Sequence, residues 1–186
     1  AAKQVVTQRV REAERGVIYN EYIDREEDIM NGIIQRVDSR FVYVNLGKIE
    51  AKLAKNDQMP NEAYEVHDRI KVFVSKVENT NKGPQVFVSR TEAGMLRRVF
   101  ETEVPEIYDG IVEIRSVARE AGDRSKISVF ADNPEIDPVG SCVGPKGQRV
   151  QMVVDELKGE KIDIVEYSDD PVVYVSNALS PSKVSH

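Results

Sequence analysis

Tryptophan is absent from this chain of 186 residues, and cysteine occurs once, at Cys142. A single thiol cannot close an internal disulfide, so packing must hold the fold, and a reducing compartment is expected. Cys142 reads as a small packing residue, not a nucleophile, because neither histidine neighbours it in sequence. The two histidines, His67 and His186, form no Cys/His cluster of zinc spacing, so no metal site is expected. No apolar run approaches the roughly 18 residues a membrane helix needs, and no charged-then-apolar leader opens the chain. Neither a membrane span nor a secretory signal is therefore read. Basic excess is missing too, with 26 Lys and Arg against 32 Asp and Glu, a net charge of −6. A general nucleic-acid coat is normally basic, so any such contact must be local and shaped. Catalytic patterns are also lacking. Gly140, Gly144 and Gly147 do not make G-x-G-x-x-G, and Pro145 stands where a Walker loop needs its second glycine. His67 has no partner in sequence, and Asp169-Asp170 reads as a helix-capping turn. No catalytic residue, no cofactor and no enzymatic activity are expected.

What remains is a charged chain long enough for one or two modest domains. From Lys3 to about Tyr22 the spacing of Val6, Val10, Ala13 and Val17 predicts a helix. It starts without methionine or capping box, so a piece cut from a longer protein is expected. The run Asp24-Arg25-Glu26-Glu27-Asp28 reads as a solvated hinge. Strands are then predicted over 29–37, 41–45, 49–54, 69–77 and 85–89, with turns at 45–48 and 79–84. Five short strands with one long connection suggest a small Greek-key barrel of the OB kind. Alternation turns Val42 and Val44 inward and Phe41 and Tyr43 outward. Those two rings are candidates for stacking bases, or else for covering the barrel's flank. Arg36, Arg40, Lys48, Lys52 and Lys55 could support a groove there. A helix over 91–103, with Thr91 as N-cap, exposes Arg97 and Arg98.

The stretch with the clearest chemistry is Gly144-Pro145-Lys146-Gly147. Gln148, Val150, Val153, Val154 and Leu157 follow at helical spacing, and Gly159 supplies the stop. Glycines let the backbone approach a ligand closely, and a helix start offers unpaired N–H groups and a positive dipole end. With Lys146 at the tip, this is an anion site. A bare G-x-x-G is weak evidence alone and equally fits an ordinary turn between helices. Its frame strengthens it. Residues 110–114 and 126–130 alternate as strands joined through 118–125, and 161–165 alternates as a third.

The order helix, strand, strand, short helix, G-x-x-G, helix, strand resembles a type II KH domain, whose loop clamps the backbone of four nucleotides. The phrases Val104-Pro105-Glu106-Ile107-Tyr108-Asp109-Gly110, Ala118-Arg119-Glu120, Asp137-Pro138-Val139-Gly140 and Gly159-Glu160-Lys161-Ile162-Asp163-Ile164 carry a wider match. Together they resemble the NusA family of bacterial transcription factors over nearly the whole chain. That resemblance implies an α+β fold in order. Residues 1–25 would be a connector helix from a missing N-terminal domain, and 26–90 an OB barrel of the ribosomal S-one type. A type II KH domain would take 91–179, and 180–186 would begin a linker to a missing second KH domain. It favours a short helix from Pro171 to near Leu179, although Val172 to Val175 alone suggest a strand. Leu53-Ala54-Lys55 departs from the family's frequent Leu-Pro-Pro.

The implied activity is non-catalytic: binding single-stranded nascent RNA beside RNA polymerase and so modulating pausing, termination and antitermination. The implied partners are that RNA, polymerase mainly through the missing domain, and other transcription and antitermination factors. A monomer in the bacterial cytoplasm is expected. Gly144 and Gly147 would admit the phosphodiester chain, facing the N–H groups of Gly147, Gln148 and Arg149. Lys146 and Arg149 would supply charge beside Pro145, unless Arg149 pairs with a carboxylate on its own helix. Val143, Val150 and Ile127 would floor a groove or be plain core, with base edges meeting the central strand. Arg124 and Lys126 would close its far side. Two alternatives stand beside this reading. One is the accessory RNA-binding region of an RNA-degrading enzyme such as polynucleotide phosphorylase, where the barrel follows the KH domain. The other is an adaptor whose G-x-x-G is silent.

Overall fold

A computed structural model of the chain describes residues 2–179, with side chains from residue 7 onward. The expected linker at 180–186 lies outside the described residues. The chain divides into two compact units, 1–95 and 96–186.

In the first unit, α1 (Ala2–Ile23) is followed by β1 (Ile29–Val37), β2 (Phe41–Asn45), β3 (Glu50–Ala54), β4 (Arg69–Thr80) and β5 (Gly83–Ser89). The strands close into a barrel of order β1-β2-β3-β5-β4. β4 returns to pair with β1, and only β3 and β5 run parallel. Alternate residues point inward. Ile34, Val42, Val44, Leu53, Val72, Val74, Val86 and Val88 fill the interior. Each contributes roughly 1.5–3 kcal/mol of burial. The last turns of α1 lie on this core through Ile18, Tyr19, Tyr22 and Ile23. The Tyr22 hydroxyl donates to the Leu46 carbonyl and accepts from the Lys48 N–H, at 3.1 Å each. Val10 and Val17, earlier in the helix, stay exposed. Among the described residues, α1 therefore packs through its last turns and not through the expected stripe.

The expected hinge at 24–28 is pinned. Glu27 N–H donates to Val74 O, Val74 N–H donates to Asp28 O, and the Glu26 carboxylate accepts from Val77 N–H. The connection from β3 to β4 is anchored by Arg90, which is 1% exposed. Its guanidinium donates to both oxygens of Glu62 and to the Lys71 carbonyl.

α2 (Ala93–Glu103) spans the division, and α3 (Pro105–Tyr108) follows. Ser89, not Thr91, receives the first free N–H groups there, from Thr91 and Glu92. The second unit continues with β6 (Glu113–Glu120), β7 (Arg124–Phe130), α4 (Pro138–Val143), α5 (Gln148–Glu156), β8 (Lys161–Glu166) and α6 (Pro171–Leu179). The sheet order is β6-β7-β8, with β7 antiparallel to β6 and parallel to β8. The parallel pair requires a crossover, which α4 and α5 supply. Ile127, Val129, Cys142, Val153 and Leu157 are buried. The expected connection over 118–125 shrinks to a tight turn, because both strands continue into it. The reason is Glu160, fully buried, whose carboxylate accepts from the Arg119 guanidinium, Gly122 N–H and Ser125 hydroxyl. These polar residues are internal partners. Among the described residues, no helix is long and apolar enough to cross a membrane.

Candidate nucleic-acid interface

Asp137 caps α4, its carboxylate accepting from Gly140 N–H at 3.0 Å, and Pro138 occupies the first turn. The helix stops at Gly144, whose φ of 76° and ψ of 174° suit only glycine. A side chain there would also collide with Arg149, whose Cγ lies 2.6 Å from the ideal Cβ position. Lys146 follows in the left-handed region, φ 55° and ψ 25°, and Gly147 with φ 73° caps α5. A lysine in that conformation carries about 1–2 kcal/mol of strain. Pro145, Lys146 and Gln148 are exposed, and no ion pair engages Lys146 among the described residues. A trough of about 540 Å³ opens beside the loop, lined by Lys146, Gly147, Gln148, Val150, Gln151 and Met152. The start of α5, the positive end of its dipole, lies at this trough. The Gly147 and Gln148 N–H groups, expected to face a ligand, donate instead to the Gly144 and Pro145 carbonyls.

Several expected contributors fall elsewhere. Arg149 does not face the trough as a free charge. Its guanidinium donates at 2.8 Å to Glu106, on α3 and not on its own helix, and at 2.8 Å to the Ser141 carbonyl. It braces the loop from behind. Ile127 is fully buried, because β7 is the central strand and its inward face meets α4. The backbone groups of β7 are used in two ladders, so the free edges belong to β6 and β8, and of these β8 packs against both α4 and α5. Ile162 and Ile164, half-buried on β8, pair in register with Ser125 and Ile127 and so share the sheet face that meets α4, a placement that sequence reasoning missed. Their alternation was visible, but their edge position depends on strand order. Val143 and Val150 remain half-buried near the loop. Lys126 lies on the other face of the sheet, its ammonium donating to the Ala178 carbonyl of α6. Beside it, the Tyr174 hydroxyl bonds Ser116, which bonds Ser128, so α6 covers that face. Arg124 is exposed and pairs in register with Lys161.

Burial pushes the Cys142 thiol up to about 12, which suits packing and not nucleophilic chemistry. No group of three or more His, Cys, Asp or Glu that could hold a metal occurs among the described residues.

On the barrel, Phe41 is half-buried and Tyr43 only 9% exposed. The rings lie 5.9 Å apart, and the Arg36 guanidinium sits 3.8 Å above the centre of Tyr43. Tyr43 thus faces outward but is covered, not open as expected. Arg36 is held by the Glu50 carboxylate at 2.9 Å. Lys52 stands 5.5 Å over Phe41. The Asp38 carboxyl is held below its ordinary range by the N–H groups of Phe41 and Arg40, which fix the β1–β2 turn.

Comparison with known proteins adds independent evidence. Residues 23–89 match the S1 RNA binding domain, and 90–167 match the NusA-like first KH domain. The chain is 75% identical over 183 residues to the transcription termination/antitermination protein NusA of Bacillus subtilis (strain 168), covering 98% of this chain and 49% of that protein. It is 72% identical to the protein of that name from Halalkalibacterium halodurans, covering 98% of this chain and 48% of that protein. Against the Thermus thermophilus protein the identity is 49%, covering 98% of this chain and 47% of that protein. The chain spans about half the length of the curated relatives it matches. With an S1 barrel leading into a first KH domain of this specific type, the chain belongs to the NusA family.

Proposed function

We propose that this region is the RNA-binding core of a bacterial transcription elongation factor. It takes the backbone of single-stranded nascent RNA at Gly144–Gly147, and through that grip modulates pausing, termination and antitermination. The observation that carries the reading is the exposed Pro145-Lys146 tip, with Lys146 and Gly147 in the left-handed region, at the start of α5 and open to a trough. Phosphates meet the Lys146 ammonium at the positive end of α5. Bases lie over Val143, Val150 and Met152 toward the free edge of β8, with Ile162 and Ile164 at the floor. Arg149 acts as a positioning residue. The Phe41–Tyr43 face of the barrel is a second, weaker contact, and two modules on one RNA raise affinity through effective concentration.

RNA polymerase and other termination or antitermination factors are the protein partners of this reading, and the bacterial cytoplasm its setting. The chain acts as a monomer and does no chemistry of its own. The order of domains, barrel before KH, favours this reading over an accessory region of polynucleotide phosphorylase.

The test is a titration of labelled single-stranded RNA with wild type and with Pro145→Asp/Lys146→Asp. The variant replaces one positive charge by two negative ones at the proposed phosphate site, so affinity should fall roughly tenfold or more. Equal affinity in a folded variant overturns the reading in favour of a silent adaptor.

A further inference from the structure

Before the turns of α1 that pack on the barrel, a cleft of about 800 Å³ opens between the helix and the β4–β5 hairpin, within the first unit. Its helix wall carries Arg11 and Arg15, four residues apart and so on one face, with Glu12 and Gly16 beside them. The opposite wall is the hairpin turn, Asn79 to Asn81. The size falls within the roughly 300–1,000 Å³ of small-molecule sites, but the lining is polar and does not suit an apolar ligand.

Arg15 is held in place before any ligand arrives. Its stem lies across buried Gly83, with Nε 3.4 Å from where a side chain there would begin, and its guanidinium donates to the Asn81 carbonyl at 3.4 Å. Neither cleft arginine is neutralised. The ion pairs of the first unit engage Arg25, Arg36, Lys48, Lys76 and Arg90, and among the described residues none engages Arg11 or Arg15. Gly16 is a separate sign. It lies inside α1, where glycine weakens a helix relative to alanine. No internal packing asks for it, because nothing lies within 4 Å of where its side chain would start. The space it leaves belongs to the cleft.

We propose that this cleft binds a nucleoside diphosphate, a function independent of the RNA reading. Arg11 and Arg15 are spaced about 6 Å along the helix axis, so adjacent phosphoryl groups each meet a guanidinium with paired N–H donors. Glu12 accepts from the ribose hydroxyls, and the amides of Gln8, Asn79 and Asn81 offer donors and acceptors to the edge of the base. Gly16 lets the sugar approach the helix backbone. Two arginines repel a metal cation, and a lone phosphate would leave most of the cleft empty. No aromatic ring lines the cleft, so the phosphates dominate affinity and salt weakens it.

The test is amide chemical-shift mapping of the full chain titrated with ADP at low salt. Saturable shifts are expected over residues 7–16 and 79–81, with Kd on the order of 0.1–1 mM. Pyrophosphate should shift the same amides with lower affinity, and adenosine should leave them unmoved. Arg11→Gln and Arg15→Gln, both at exposed positions, should each weaken ADP binding roughly tenfold. Gly16→Ala should raise the thermal midpoint yet weaken ADP binding severalfold. Circular dichroism checks that each variant is folded. Shifts confined to Gly144–Arg149 overturn the cleft site and leave the loop reading standing. An equal response to adenosine, or ADP affinity unchanged in all three variants, also overturns it. Single-stranded RNA that shifts the cleft amides where ADP does not overturns the small-molecule ligand.

Discussion

Lys146 stands at the tip of its loop in a left-handed backbone and outside any described ion pair, whereas Arg36 and Lys76 on the barrel wall are each held by a carboxylate. The loop keeps its cation available and stores the cost in backbone geometry. The barrel wall keeps these two cations engaged. A ligand at the loop meets a ready site, while one on the barrel must first break ion pairs.

The largest effects should come from the frame behind each site. Glu160 and Glu62 each accept a buried arginine, Arg119 and Arg90 respectively, with side-chain exposures of 5% or less. Replacing either glutamate by alanine leaves a buried guanidinium without its carboxylate. Urea denaturation should register a loss of about 3–5 kcal/mol in each case. A much smaller loss for Glu160→Ala would mean that the turn between β6 and β7 is not held by this hub.

Gly144→Ala should come next, through φ strain and the collision with Arg149. A loss of about 1–3 kcal/mol is expected, together with weaker RNA binding. Wild-type stability would show that the loop backbone is not as described. Lys146→Asn separates the two costs. Asparagine tolerates the left-handed region, so stability should rise by about 1 kcal/mol while RNA affinity falls. Both quantities moving in the same direction would break the proposed link between strain and binding.

The smallest effect lies on the barrel. The folded Asp38 carboxyl is depressed below the unfolded value of about 3.9. Its contribution is therefore present above that unfolded value and lost as pH falls through the folded one. Carboxyl NMR should find Asp38 titrating below its unfolded value, and Phe41→Pro, which removes one donor N–H, should raise its midpoint.

Much of this was legible in the sequence. Alternation located the barrel strands because one face of each is apolar and the other polar, as in Phe41-Val42-Tyr43-Val44. The loop was legible because Gly144 and Gly147 need backbone freedom. Elsewhere long-range partners misled. Arg119 and Ser125 look like loop residues until Glu160, far along the chain, is seen to bury with them. The same holds for Asp24–Asp28, whose charged run conceals backbone bonds to β4. Of the two readings open for Ile127, groove floor or core, the structure gives core, and sequence could not decide because local pattern identifies strands but not which strand is central. Arg149 was drawn away by Glu106, whose proximity depends on how α3 meets α5.

The central claim is that RNA enters between the Gly144–Gly147 loop and the free edge of β8. It is tested most directly by amide chemical-shift mapping on the full chain during titration with short single-stranded RNA. The account predicts the largest shifts from Gly144 to Arg149, accompanied by shifts from Lys161 to Glu166. Binding that moves other amides and leaves both stretches unchanged would contradict it.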